Sequence, residues 1–247
     1  MNGASTAASR SFPEALSALY AIFSHPRLSQ LPEACPCCIT AAENIVLCTV
    51  PLADLSEAQL QRYAFKAMTT WGNTTDFRYF LPRLLELSLR PDADIEKETV
   101  FCKLELAGWT SWPAAEQAAI REALLTWWAH HIQHECFFEE EVLAWLIRLL
   151  RSISPLLLAW APAASGWAFE NLVRMVSNLD SLEQHIRTLT PTDATHQNAL
   201  LRQWLKQQLP ILEAGFFQEE TRNKEFAQAI SLAHTLVAAL PAPGTPL

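Results

Sequence analysis

One stretch, Leu60–Leu89, constrains the fold more than any other part of the chain. Its first half repeats apolar residues at three- and four-residue steps, the period of an amphipathic helix. Those residues are Leu60, Tyr63, Ala64, Ala67, Met68 and Trp71. Ser56 and Gln59 have the spacing of a capping box at the helix start. Because a left-handed C-cap favours a residue without a Cβ, Gly72 predicts that this helix ends at Trp71.

The second half of the stretch predicts a second helix that folds back on the first. A polar turn, residues 73–76, separates the two apolar segments and ends in Asp76, which could cap a short turn. Pro82 has no N–H to donate, so we expect it in the first turn of the helix that follows. Leu84, Leu85 and Leu89 would then be buried. The stretch therefore predicts an αα hairpin, against which the other helices pack.

The rest of the chain predicts an all-α fold of nine or ten helices. Half of the 247 residues are hydrophobic, and leucine and alanine predominate over valine and isoleucine, which favours helix over strand. Short loops favour antiparallel hairpins, so an irregular α-solenoid is one candidate architecture. Ser11 and Glu14 predict the first helix start, and the last four predicted helices cover 166–177, 179–189, 196–208 and 221–239. We expect one helical domain over 11–240 with a candidate internal boundary near 155–165, and flexible tails at 1–10 and 241–247.

Net charge and hydropathy indicate the cellular compartment and the kind of partner. The formal net charge of −8 argues against nucleic acid and against an anionic membrane surface, and it suits a basic protein partner. The N-terminal residues lack the apolar segment of a secretory signal. The most hydrophobic run, 142–160, is interrupted by Arg148, Arg151 and Pro155, so we expect a buried helix and no membrane span. Six cysteines without an export signal predict reduced thiols in the cytoplasm.

Two clusters have residue types that could bind a metal. Cys35 and Cys38 form a C-x-x-C pair in the run CPCC, and Cys48 and His25 could complete a zinc site. No second pair stands at a fixed spacing, so the sequence favours small, partly buried thiols that cover a helix start. His130 and His134 would share a helix face, yet HExxH is absent. We expect no cofactor.

The hairpin also concentrates basic and aromatic residues, the types that dominate protein interfaces. The helical period places Tyr63 and Trp71 in the core and leaves polar side chains for a partner to contact. These candidate partner-binding residues are Arg62, Lys66, Asp76 and Arg78, together with Glu139, Glu140 and Glu141 at the start of a later helix. No G-x-S-x-G, P-loop or G-x-G-x-x-G motif is present, so we expect a protein without catalytic activity.

Several strings between Cys35 and Trp128 resemble a family of uncharacterised bacterial proteins. They are the CPxC-like cysteines, Pro51-Leu52, YAFKAMTTWG, DFRYFLPRLLEL and WTSWPAAE. The resemblance covers about half of the chain and implies no catalytic residue, because that family has no settled activity. By analogy, small acidic helical bacterial proteins of this kind look like immunity partners of polymorphic toxins.

These observations predict a non-catalytic protein that binds another protein. In its most concrete form it is an immunity protein that occludes the active cleft of a basic toxin domain. A zinc-binding helical protein that uses Cys35 and Cys38 is one alternative. A helical regulator that binds a small molecule in an apolar pocket is the other.

Overall fold

The computed structural model describes residues 10–24 and 31–241, and it confirms the predicted all-α class. Across these residues the chain forms thirteen α-helices and two short 3₁₀ helices, at 52–54 and 109–111, and no strand longer than an isolated bridge. The helices are α1 (Phe12–Ile22), α2 (Ala41–Thr49), α3 (Glu57–Lys66), α4 (Thr74–Ser88), α5 (Lys97–Leu106), α6 (Ala114–His134), α7 (Glu140–Leu150), α8 (Ser154–Ala159), α9 (Trp167–Ser177), α10 (Leu179–Leu189), α11 (Ala194–Gln207), α12 (Leu209–Glu219) and α13 (Lys224–Ala239).

The described residues contain more helices than the nine or ten predicted, and two of them, α8 and α12, were not expected. Both α8 and α12 have a proline in their first turn, Pro155 and Pro210. A proline there sacrifices no hydrogen bond, since the first N–H groups of a helix have no partner within it. Pro155 therefore begins a helix at the predicted internal boundary, and Pro210 begins one between the predicted helices 196–208 and 221–239. The α-solenoid arrangement stays a prediction.

The chain divides into two compact units, Met1–Trp127 and Trp128–Leu247. The division falls within α6, and the predicted boundary region of 155–165 lies inside the second unit. A single domain over 11–240 stays a prediction, and the predicted flexible tails lie almost wholly outside the described residues.

In the first unit α4 is buried over most of its length, and it packs against α1, α3 and α5. Its fully buried side chains are Phe77, Phe80, Leu81, Leu84 and Leu85. Tyr63 of α3 meets Phe80 edge-on, with ring centroids 4.6 Å apart, and meets Trp71 in the same way at 5.5 Å. The predicted burial of Tyr63 and Trp71 is confirmed, whereas Met68 is only half-buried.

Both helices of the predicted hairpin have different bounds in the structure. The first, α3, ends at Lys66, because Met68 adopts a left-handed conformation, with φ at 60°, and its N–H donates to the Trp71 carbonyl at 3.0 Å. The second, α4, begins at Thr74 and continues through Pro82. Its start is set by Asn73, whose side-chain oxygen accepts from the Thr75 N–H at 2.8 Å. The expectation that Pro82 opens this helix was therefore wrong.

In the second unit α12 and α13 form a hairpin. In addition, α7 packs against α10, and α9 packs against α13. The predicted helix at 179–189 is confirmed as α10. A Cβ on Gly215 of α12 would lie 2.1 Å from the Phe169 ring of α9, so the glycine allows this close approach. The hydrophobic run of 142–160 forms α7 and α8. Among the described residues no helix has the length and apolar character needed to cross a membrane.

Gly72 lies in the turn between α3 and α4, and its replacement tests that turn. Gly72 has φ at +67°, and an added Cβ would lie 2.8 Å from Oδ2 of Asp76, which accepts from the Asn73 N–H at 2.8 Å. We expect Gly72→Ala to lower the free energy of unfolding by about 1–2 kcal/mol for the left-handed backbone. Disturbing the α4 cap adds about 1 kcal/mol.

Urea unfolding measures the loss of stability in Gly72→Ala, and Gly108→Ala is the matched control. Gly108 has φ at +63° and its Cβ would meet nothing closer than Ser111 Oγ at 3.8 Å, so only the backbone contribution applies. Equal losses in the two variants would show that the contact with Asp76 contributes nothing.

Candidate functional site

Three thiols converge in the turn of residues 35–38. The Sγ atoms of Cys35 and Cys37 are 2.7 Å apart, and those of Cys37 and Cys38 are 3.5 Å apart. All three sulfur atoms lie within 4.8 Å of one another. Over 10–24 and 31–241, no other group of three histidine, cysteine or carboxylate side chains is arranged so that it could hold a metal ion. We call these three residues the thiol turn.

The backbone brings the thiols together. The Cys35 carbonyl accepts hydrogen bonds from the N–H groups of Cys38 at 3.0 Å and Ile39 at 2.9 Å. The ring of Pro36, the second residue of the turn, restricts its own φ angle. Ile39 is buried, and Thr40 begins α2 through a capping box with Glu43. The thiol turn is therefore closed by its own backbone and leads directly into a capped helix.

The connection between α3 and α4 forms backbone hydrogen bonds with residues 33–35, at the start of the thiol turn. The Cys35 N–H donates to the Thr70 carbonyl at 2.9 Å, and the Gly72 N–H donates to the Glu33 carbonyl at 2.6 Å. Ala34 and Trp71 form an isolated antiparallel bridge between these two bonds. The cysteine run and the hairpin, which the sequence presents as separate features, thus form one structure.

Asn44 of α2 adds side-chain hydrogen bonds to the same assembly. Its Oδ1 accepts from the indole N–H of Trp71 at 2.8 Å, and its Nδ2 donates to the Pro32 carbonyl at 2.8 Å. Trp71 is almost fully buried. The segment that precedes the thiol turn is therefore fixed to α2 and to the core of the first unit.

Arg62 of α3 holds the end of the thiol turn. Its guanidinium donates to the Cys38 carbonyl, and its Nη1 lies 2.6 Å from Oε1 of Glu43. The sequence predicts Arg62 as a contact for a partner, whereas the structure shows that its hydrogen bonds are made within the chain. An ion pair as exposed as this one contributes little to stability. The main effect of Arg62 is to hold the Cys38 carbonyl in position.

The thiols shift the pKa values of one another. Hydrogen bonds from the Cys37 S–H and then from the Cys37 N–H lower the pKa of Cys35. The pKa of Cys37 is raised to about 11, because its proton is held between the sulfur atoms of Cys35 and Cys38. Cys35 therefore loses its proton before Cys37 does.

The predicted zinc ligands are brought together only in part. Cys35 and Cys38 meet as predicted, but Cys48, on α2, does not join the group, and His25 lies outside the described residues. Cys37 joins the group although it lies outside the set that C-x-x-C spacing predicts. The signal for it was the run CPCC itself, because a tight turn brings all of its cysteines close together.

The histidines at the end of α6 do not belong to any group of three metal-ligating side chains among the described residues. The rings of His130 and His134 stack with centroids 4.3 Å apart, and His134 Nδ1 lies 2.8 Å from the His130 carbonyl oxygen. His131 is buried, with Nδ1 2.9 Å from the Glu135 carboxylate and Nε2 3.0 Å from the Phe137 carbonyl oxygen. These contacts hold the end of the helix in place.

The other predicted partner-binding residues differ in their surroundings. Asp76 is only 8% exposed and belongs to the α4 cap, so the prediction that it faces a partner does not fit its position. Arg78 is held by both carboxylate oxygens of Glu116 and lies over the Trp112 ring, 5.3 Å from its centroid. Lys66 is half-buried at the end of α3.

The three glutamates of the second unit have the position that the sequence predicts. Glu139 is the N-cap residue of α7, and Glu140 and Glu141 lie in its first turn, where negative charge complements the helix dipole. Glu141 is exposed and the other two are half-buried.

The fold and the site together define an all-α protein with a thiol turn near its N-terminus. The chain matches no model of a known protein family, no functionally described protein and no solved structure. The resemblance to uncharacterised bacterial proteins stays a prediction.

Proposed function

We propose that this protein binds a thiophilic metal ion through Cys35, Cys37 and Cys38. The observation that carries the proposal is the position of three sulfur atoms within 4.8 Å of one another. Sulfur ligands at 2.3 Å from a metal ion stand about 4 Å apart. Cys35 and Cys37 would have to separate by roughly 1 Å from their present 2.7 Å, and the exposed Cys37 side chain has room to rotate.

The surroundings of the thiol turn favour such a role. The turn is fixed by the backbone hydrogen bond from Cys35 to Thr70 and by the Arg62 contact to Cys38, so little conformational freedom is lost when an ion binds. The exposed Cys37 gives an ion access from solvent. We infer a cytoplasmic location, because thiols stay reduced there and only reduced thiols ligate a metal.

Metal content of the full-length protein tests this function. We expect protein purified without an affinity tag, under reducing conditions, to bind one equivalent of a thiophilic ion, measured by mass spectrometry of the elements. The triple variant C35S/C37S/C38S should bind none. Cys102→Ser is the matched control, because Cys102 is an exposed cysteine of α5 outside the group. Wild-type protein that binds no ion, or a triple variant that still binds one, would refute the proposal.

Arg62 provides a second test, because it positions the thiol turn without ligating the ion. Residues that orient metal ligands typically affect affinity by 10–100-fold, so we expect Arg62→Ala to weaken metal binding by about tenfold. Arg90→Ala is the control, because the Arg90 side chain is 47% exposed against 50% for Arg62 and also pairs with a glutamate, Glu57. Competition with a chromophoric chelator measures the affinities. Equal affinities in the two variants would contradict the positioning role.

The second candidate function is protein binding, in the form of an immunity protein that occludes a basic toxin domain. A groove of about 560 Å³ between α8 and α11 favours it. Its rim includes Leu158, which is 86% exposed, and its walls include Trp160 and Trp204. Covering an exposed leucine is worth about 1.5–3 kcal/mol, and aromatic walls are typical of binding hot spots. The net charge of −8 selects a basic partner.

Co-expression with the product of the adjacent gene tests this second function. If that product is toxic to cells, wild-type protein should restore growth, and Leu158→Asp should abolish the protection because a carboxylate cannot enter an apolar contact. Leu232→Asp is the control, since Leu232 is an exposed leucine of α13 outside the groove. Failure of the wild-type protein to protect, or protection by Leu158→Asp, would count against the groove. The C35S/C37S/C38S variant should protect normally, which separates this function from metal binding.

A further inference from the structure

We infer that the ion selected by the thiol turn is copper(I), bound by three thiolates with one side open to solvent. This inference rests on the proposed metal site and specifies its ligand. It follows from the number of ligands, from their arrangement along the chain and from the hydrogen bonds of the Glu43 carboxylate.

The number of ligands favours copper(I) over a structural zinc site and over an iron–sulfur cluster. In the described ranges, 10–24 and 31–241, no fourth histidine, cysteine or carboxylate joins the three thiols. Structural zinc sites take four protein ligands, and a zinc site with three protein ligands adds a water as the fourth. Iron–sulfur clusters take four cysteines or a mixture of cysteine and histidine. Thiolates bind both zinc and copper(I), but copper(I) is satisfied by two or three of them. Three sulfur atoms therefore complete a copper(I) site, whereas zinc would need a water or a further side chain as its fourth ligand.

The arrangement of the ligands favours an ion of low coordination number. All three sulfur atoms come from the four residues between Cys35 and Cys38, which are closed by the hydrogen bonds to the Cys35 carbonyl. Ligands from one short turn approach an ion from one side. A tetrahedral ion needs a further ligand from the opposite side, whereas a trigonal ion lies close to the plane of its three sulfur atoms.

The Glu43 carboxylate at the start of α2 already has hydrogen-bond partners within the chain. Glu43 accepts from the Thr40 N–H at 2.8 Å through Oε2, and its Oε1 lies 2.6 Å from Arg62 Nη1. Both oxygens thus serve the start of α2 and the Arg62 contact. Oxygen ligands suit magnesium, calcium and manganese, whereas an all-sulfur site selects softer ions such as copper(I).

Anaerobic titration of the reduced full-length chain tests the inference. Copper(I) and zinc(II) are added separately and then in competition, each with a chromophoric chelator that reports the free ion. We expect one copper(I) per chain, retained against a large molar excess of zinc and lost in C35S/C37S/C38S. X-ray absorption at the copper edge should count three sulfur neighbours in the wild type and two in Cys37→Ser, with Cys102→Ser unchanged.

The other outcomes separate this inference from the function on which it rests. One equivalent of zinc that displaces copper(I) would overturn copper selectivity and leave the metal site standing. Binding of neither ion would overturn both. His25→Ala should bind copper(I) as tightly as the wild type, and a loss of affinity in that variant would show a fourth ligand and overturn three-coordination.

Discussion

The structure around the thiol turn depends on the backbone pairing of residues 33–35 with residues 70–72. Two hydrogen bonds make this pairing, Cys35 N–H to the Thr70 carbonyl and Gly72 N–H to the Glu33 carbonyl. Both require that the chain reverse sharply after α3. That reversal places Met68 in the left-handed region, which is unfavourable by about 1–2 kcal/mol for a residue with a side chain. The buried contacts of Tyr63, Trp71 and Phe80 offset this strain.

Features that depend on residues three or four positions apart could be predicted from the sequence. The capping boxes of Ser11 with Glu14 and of Ser56 with Gln59 are confirmed, as is the predicted burial of Tyr63 and Trp71. Such signals are local, because both partners belong to the same helix turn or face. They fix where helices begin and which side is buried, and these two properties determine the all-α class.

Features that depend on distant residues could not be predicted in the same way. The end of α3 at Lys66 results from the pairing of residues 70–72 with residues 33–35, far back along the chain, so the uninterrupted apolar period to Trp71 gave no warning of it. The thiol turn was missed in part for a related reason. Spacing rules for zinc identify Cys35 and Cys38, whereas Cys37 joins them only because of how the backbone turns.

The proposed metal site, anchored in this way, would couple metal binding to the stability of the first unit. An ion that binds the folded thiol turn and not the unfolded chain stabilises the fold by an amount that grows with ion concentration. Because Cys35 is bonded to the α3–α4 connection, the thiols lose their arrangement if that connection opens. Three cysteines within four consecutive residues also remain close together in an unfolded chain, which would retain some affinity and reduce the gain in stability. The hydrogen bonds to Thr70 and Arg62 would therefore link a bound ion to the fold, since they join the native turn to residues that a free peptide lacks.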